Sequence, residues 1–156
     1  MKYEFLPHTA DVKFRAYGKT MEEAFSNAAL ALTAVITDPA KIEANVEKKI
    51  EVESEDEKAL LYDFLEQFLI LLDTEGFLLN SVKELKIEKN ETRKEQSSFV
   101  SQKSSISVKL KLKAVIVGDT ELEKYETETH IKAVTYQEME IKKEKDKVMV
   151  QVILDL

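Results

Sequence analysis

Apolar residues return at helical spacing in two segments of the chain and alternate with polar ones through most of the rest. The first helical segment has readable ends. Thr20 with Glu23 forms a capping-box pattern, and Asp38-Pro39 follows the far end. Between them Phe25, Ala28, Ala29, Leu32 and Val35 share one face. In the second segment Ser54 and Glu57 repeat the capping pattern. There Leu60, Leu61, Phe64, Leu65, Phe68, Leu69 and Leu72 make a wide apolar stripe, which predicts a helix at the centre of the core. This helix is expected to stop at Asp73-Thr74-Glu75-Gly76, where glycine takes a left-handed cap.

Strand signals fill the remainder. Tyr3–Leu6 stops at Pro7, and Val12–Tyr17 alternates up to Gly18, with the polar connection Pro7–Asp11 between them. Lys49–Glu53 is a short strand ahead of the second helix. Phe77-Leu78-Leu79 leads into Val82–Glu88, a strand with one irregularity. Ile106, Val108, Leu110 and Leu112 alternate with Ser107, Lys109, Lys111 and Lys113, the pattern of a strand with one wet face. Gly118-Asp119 marks a turn, and further strands are expected near Thr127–Val134, Met139–Lys142 and Val148–Leu154. Residues 90–105, rich in Ser, Gln, Lys and Glu, predict an exposed loop or hairpin tip. With no repeat and no linker, residues 1–156 read as one α+β domain, two helices packed on a largely antiparallel sheet.

Composition narrows the class. A chain of 156 residues with 44% hydrophobic content is long enough for a true core. No run is apolar enough to span a membrane, and the first residues lack the pattern of a signal peptide. The expectation is therefore a cytoplasmic domain, consistent with the absence of cysteine. The formal charge of −7, from 30 acidic and 23 basic residues, is the opposite of a broad nucleic-acid footprint. RNA contact would be indirect or confined to a local patch, such as the Lys109/Lys111/Lys113 stripe, which is more simply the solvated face of a strand.

Enzyme signatures are scarce. The chain has no cysteine, no glycine-rich phosphate loop and no nucleophile elbow, and its two histidines, His8 and His130, are too few for a histidine-rich zinc site. Two carboxylates stand out by position. Asp11 sits at the entry of a strand behind His8-Thr9-Ala10. Asp155 shares a strand face with Met149, Gln151 and Ile153, a face that Ile153 suggests is partly covered. A carboxylate there is costly unless it is exposed, hydrogen-bonded or bound to a cation. Aspartate oxygens with the main-chain oxygen of the neighbouring Leu156 suit a hard divalent ion such as calcium, magnesium or manganese. Plainer roles fit as well: Asp11 capping a turn, Asp155 solubilising a strand end, His8 hydrogen-bonding in a loop.

Several segments together resemble the archease family. They are His8-Thr9-Ala10-Asp11-Val12 with Arg15–Thr20, then Glu22–Phe25 with Asn27–Leu32, and Thr37-Asp38. Asp73–Phe77, Lys132-Ala133-Val134-Thr135-Tyr136 and Leu154-Asp155-Leu156 complete the set, which runs in order across the whole chain. The resemblance implies a compact α+β fold and a metal site built from two distant aspartates, Asp11 and Asp155, with the main-chain oxygen of Leu156 as a weaker third ligand. It implies a partner, an RtcB-type RNA ligase, and a role as activator rather than enzyme. The ligase would use GTP and a divalent metal to guanylylate its own histidine, and this protein would promote that step and multiple turnover. Lys132 would contact a phosphate or a ligase carboxylate, against the simpler reading of a surface lysine. One departure is that many members carry histidine after the tyrosine, where this chain has Gln137. Two other readings stand beside this one: a general chaperone or interaction module, and a metal-dependent hydrolase using Asp11 and Asp155.

Overall fold

A computed structural model describes residues 1–94 and 105–156. Among the described residues are strands β1 (Tyr3–Leu6) and β2 (Val12–Gly18), helix α1 (Met21–Ile36), strand β3 (Val46–Ser54) and helix α2 (Glu57–Glu75). Strands β4 (Leu78–Lys94), β5 (Ser105–Asp119), β6 (Ala133–Glu144) and β7 (Lys147–Asp155) follow. The α+β expectation holds, with the strands divided between two antiparallel sheets, ordered β1-β2-β7-β6 and β3-β5-β4. Among the described residues no helix is long and apolar enough to cross a membrane.

The helix ends follow local chemistry. Thr20 caps α1, its hydroxyl accepting from the Glu23 N–H at 3.2 Å. The Glu23 carboxylate accepts from the Lys19 N–H, one residue earlier than in a reciprocal capping box. For α2 the expected cap, Ser54, is displaced by Asp56, whose carboxylate accepts from the Ala59 N–H at 2.8 Å. Ser54 instead ends β3 and donates its hydroxyl to Asp63 at 2.6 Å. Aspartate caps as well as serine does, so the residue nearer the first turn prevails. Gly76, at φ 66°, closes α2 as expected, its N–H reaching Leu72 O at 2.9 Å.

Both helices contact both sheets. α1 packs on β1, β2 and β7 and on β4, while α2 packs on β6 and on β3, β4 and β5. The core runs through Phe14, Phe25, Leu61, Phe64, Leu112 and Val150, all fully buried. Phe25 stacks on Phe64 at 6.2 Å, and Phe64 meets Phe68 edge-on at 5.1 Å. Each such side chain contributes about 2 kcal/mol by leaving water.

Three strand expectations change. β4 is continuous and carries two register shifts, between Leu79 and Ser81 and between Val82 and Glu84, where one irregularity was anticipated. Residues 90–94 and 105, assigned to the loop or hairpin tip at 90–105, extend the β4–β5 pairing, and residues 95–104 lie outside the described residues. The strand expected near Thr127–Val134 begins only at Ala133. Before it, the chain bonds to other elements: Glu128 N–H donates to Ile36 O, the last carbonyl of α1, and Lys132 N–H to Asp155 O, both at 2.8 Å. Those partners satisfy the backbone without a sheet ladder. The outer face of the second sheet is wet as expected, and two of its stripe lysines face acids: Lys111 lies 2.7 Å from Glu51, and Lys109 4.0 Å from Glu53.

The end of β5 is pinned. Gly118 faces Leu79, and a Cβ there would stand 2.0 Å from Leu78 O and 2.8 Å from Phe77 Cζ. Next to it the buried Asp119 carboxylate accepts from Thr120 N–H at 2.8 Å, Glu121 N–H at 3.3 Å and the Tyr125 hydroxyl at 2.5 Å. Tyr125 in turn accepts from Glu43 N–H, tying this connection to the turn after α1. Gly118→Ala should therefore cost about 3 kcal/mol through overpacking, read as a lower denaturation midpoint. The hydrogen bond from Tyr125, followed by those from the backbone and by Lys124, holds the Asp119 carboxyl below its ordinary value. A depressed folded pKa stabilises the fold above the unfolded value, and that contribution is lost as pH falls through the folded one. Asp119→Asn should accordingly lower the thermal midpoint at neutral pH, with the gap to wild type closing in acid.

Candidate metal site

The pairing of β2 with β7 ends at Val12 and Leu154, and the next residue beyond each is Asp11 and Asp155. Two positions 144 residues apart in sequence (155 − 11) are thus brought to one end of neighbouring strands. On its other side Asp155 pairs with Ala133 of β6. The sequence argument that this face of β7 is covered is right for Gln151 and Ile153, which are 3% and 0% exposed. Asp155 itself is exposed and Asp11 half-buried, so neither carboxylate carries the cost of full burial.

The cover comes from β6. Thr135 pairs with Ile153 and Glu140 with Gln151, so Tyr136, Gln137, Glu138 and Met139 together oppose Val152 alone. Such a bulge leaves the ladder and re-aims its side chains. Glu138, at φ 51°, presents its carbonyl to the Gln151 amide at 2.8 Å, while Arg15 Nε donates to the Gln151 Oε1 at 2.9 Å. The Glu138 carboxylate faces the opposite loop, 3.3 Å from His8 Nε2 and 3.6 Å from Lys13 Nζ. His8 and Lys13 from the β2 side and Glu138 from β6 therefore bridge over β7 between them.

His8 links this bridge to the aspartates. Its Nδ1 lies 3.9 Å from Asp11 Oδ2, too far for a hydrogen bond, and is buried without a partner. Ala10, just before Asp11, is also left-handed at φ 65°. Of three non-glycine residues with positive φ among those described, Ala10 and Glu138 both flank the aspartate pair, and Asp146 sits in the distant β6–β7 turn. Backbone strain of this kind is held in place by surrounding contacts and gathers at functional sites.

Lys132 is exposed, its ammonium forms no ion pair among the described residues, and its N–H fixes the Asp155 carbonyl. Leu156 is half-buried directly beyond β7. Gln137 is exposed in the bulge. Glu138 and Lys13 escaped the sequence reading. The available signal was the break in alternation at Thr135–Met139, which marks an interruption without saying where its side chains go.

Two carboxylates and neighbouring main-chain oxygens are the donor chemistry of a hard divalent cation. The unpartnered His8 Nδ1 beside Asp11 marks the same corner as one whose polar groups are not all satisfied from within. The count falls short of a closed cage, since no three His, Asp or Glu side chains among the described residues gather to hold one ion.

Residues 3–156 match the model of the Archease protein family (MTH1598/TM1083). A protein archease of Thermococcus kodakarensis is 40% identical over 157 residues, covering 99% of both chains. One from Methanosarcina barkeri is 37% identical over 99% of this chain and 96% of its own. The solution structure of Methanobacterium thermoautotrophicum protein 1598 superposes with a TM-score of 0.72 at 35% identity, over 99% of each chain. A Thermotoga maritima crystal structure described as an archease and possible chaperone shares the fold, with a TM-score of 0.59 at 18% identity over 97% of this chain and 94% of its own.

Proposed function

This chain belongs to the archease family, and from that premise we propose that it activates an RtcB-type RNA ligase rather than catalysing a reaction of its own. In this reading the ligase supplies the histidine nucleophile and consumes GTP, and the present protein speeds guanylylation and permits repeated turnover. The observation that carries the reading is that Asp11 and Asp155 each lie one residue beyond the Val12–Leu154 pair, at one end of neighbouring strands.

Asp11 and Asp155 would hold a divalent cation, calcium or else magnesium or manganese, with the Leu156 main-chain oxygen beside them. Bound there, a cation offsets the negative charge of a triphosphate approaching a nucleophile. The protein's own residues set the stage for this. The bulge and His8 fix the loop that presents Asp11, and the Lys132 N–H fixes the strand end that presents Asp155. The free ammonium of Lys132 is available to a phosphate or to a carboxylate of the ligase. RNA is engaged through the ligase: Lys109 and Lys111 of the outer stripe are paired with Glu53 and Glu51, which interrupts a cationic track for a backbone. Gln137 stands where many members carry histidine, so no step here depends on an imidazole at that position.

Single-turnover guanylylation of a cognate ligase, at fixed GTP and metal, tests the proposal. Wild-type protein should raise the rate, while Asp11→Ala and Asp155→Ala should each lose about tenfold or more of that stimulation, the equivalent of about 1.4 kcal/mol. Their thermal midpoints should stay close to wild type because neither carboxylate is fully buried. Equal stimulation by the variants would sink the carboxylate mechanism. No stimulation by wild type, with suppression of aggregation in unrelated clients, would favour the chaperone role attached to the Thermotoga protein.

A further inference from the structure

The same bulge that carries Glu138 also turns out an aromatic ring that the reading above does not use. Tyr136 is 53% exposed, yet its ring lies flat on Tyr62 of α2, with centroids 4.4 Å apart and planes within 6°. With one face taken by Tyr62, the open surface of Tyr136 is its other face and edge. Exposed aromatic residues usually find cover in an interface, and a ring already held in place loses little freedom on binding.

The surroundings say what would cover it. Asp63 and Glu66 project from the same part of α2 as Tyr62, and Asp56 caps that helix. None of these carboxylates forms an ion pair among the described residues, in contrast to Glu57 nearby, which is paired with Lys143. Burial first, then Asp63, Tyr62, Asp56 and Glu66, hold the Tyr136 phenol above its ordinary value. Tyr62 is raised by burial and then by Glu66 and Asp63. Phosphate-bearing ligands are repelled from such a site even where a base could stack.

We propose that the stacked Tyr136–Tyr62 pair, rimmed by Asp56, Asp63 and Glu66, is a docking platform for an arginine side chain of a partner protein. A guanidinium is flat, weakly hydrated and always charged, so it stacks on the tyrosine face while its N–H groups reach the carboxylates. Lysine offers the charge without the plane, and citrulline the plane without the charge. The platform is independent of any cation at Asp11 and Asp155 and is defined by chemistry rather than by the identity of the partner.

The test uses the intact protein and three capped tripeptides, Gly-Arg-Gly, Gly-Lys-Gly and Gly-citrulline-Gly, with guanosine monophosphate as a fourth probe. Tyrosine ring protons are followed by NMR at low ionic strength. The arginine peptide should shift the Tyr136 and Tyr62 signals saturably, with the lysine peptide at least threefold weaker and citrulline inert. Tyr136→Ala should weaken arginine binding at least fivefold and Glu66→Gln at least twofold, while Tyr136→Phe keeps it. The proposal is overturned if citrulline binds as arginine does, if Tyr136→Ala binds unchanged, if the nucleotide saturates these rings more tightly than arginine, or if no peptide shifts them. A folded one-dimensional spectrum of each variant separates loss of the platform from loss of the fold.

Discussion

The structure depends on strand β7 being buried on both faces. It lies between β2 and β6, and Val150 through Leu154 are all buried. The inner face, with Val150, Val152 and Leu154, joins the main core under the helices, whereas Ile153 is fully buried outside that cluster. An outer face in a four-stranded sheet of this kind is ordinarily wet. Here it must be roofed, and Gln151 must be satisfied without water. The β6 bulge does both, laying Glu138 across toward His8 and Lys13 while its carbonyl and Arg15 complete the Gln151 amide.

That solution has consequences at both sides of the sheet. Four residues spent opposite Val152 cannot keep strand alternation, so one side chain, Glu138, turns to the outer face and another, Tyr136, stacks against α2. The left-handed backbone at Glu138 is the cost of the re-aiming, and the hydrogen bond from Gln151 holds it. Ala10 makes the matching compromise on the β2 side, just where Asp11 must be presented. A single packing requirement on β7 therefore shapes the corner that holds the aspartates and the aromatic surface on the other side of the bulge.

Much of this was legible in the chain and some was not, for identifiable reasons. Both helices, with the Thr20 cap and the Gly76 stop, follow from local rules that act within one turn. Ser54 misled because an equally good capping residue lies two positions on, and local pattern cannot rank them. The division into two sheets and the late start of β6 depend on where residues 127–132 find hydrogen-bond partners, Ile36 and Asp155, which are distant in sequence. At the site, the aspartates were visible as oddities of position, but Glu138 looked like one more acid among 30 acidic residues. Its role comes from a register shift that no short-range signal encodes.

The carboxylate corner and the tyrosine platform share a physical property. Asp155 is exposed, and among the described residues no group of three His, Asp or Glu side chains gathers at the aspartates. Tyr136 likewise offers half a sandwich, with the other half open to solvent. Groups arranged in this way gain most of their interaction energy only when a second surface supplies the missing donors and removes the water, because charges and aromatic faces act more strongly once desolvated. The corner and the ring are therefore the places where a covering surface would gain most, each supplying one side of a contact.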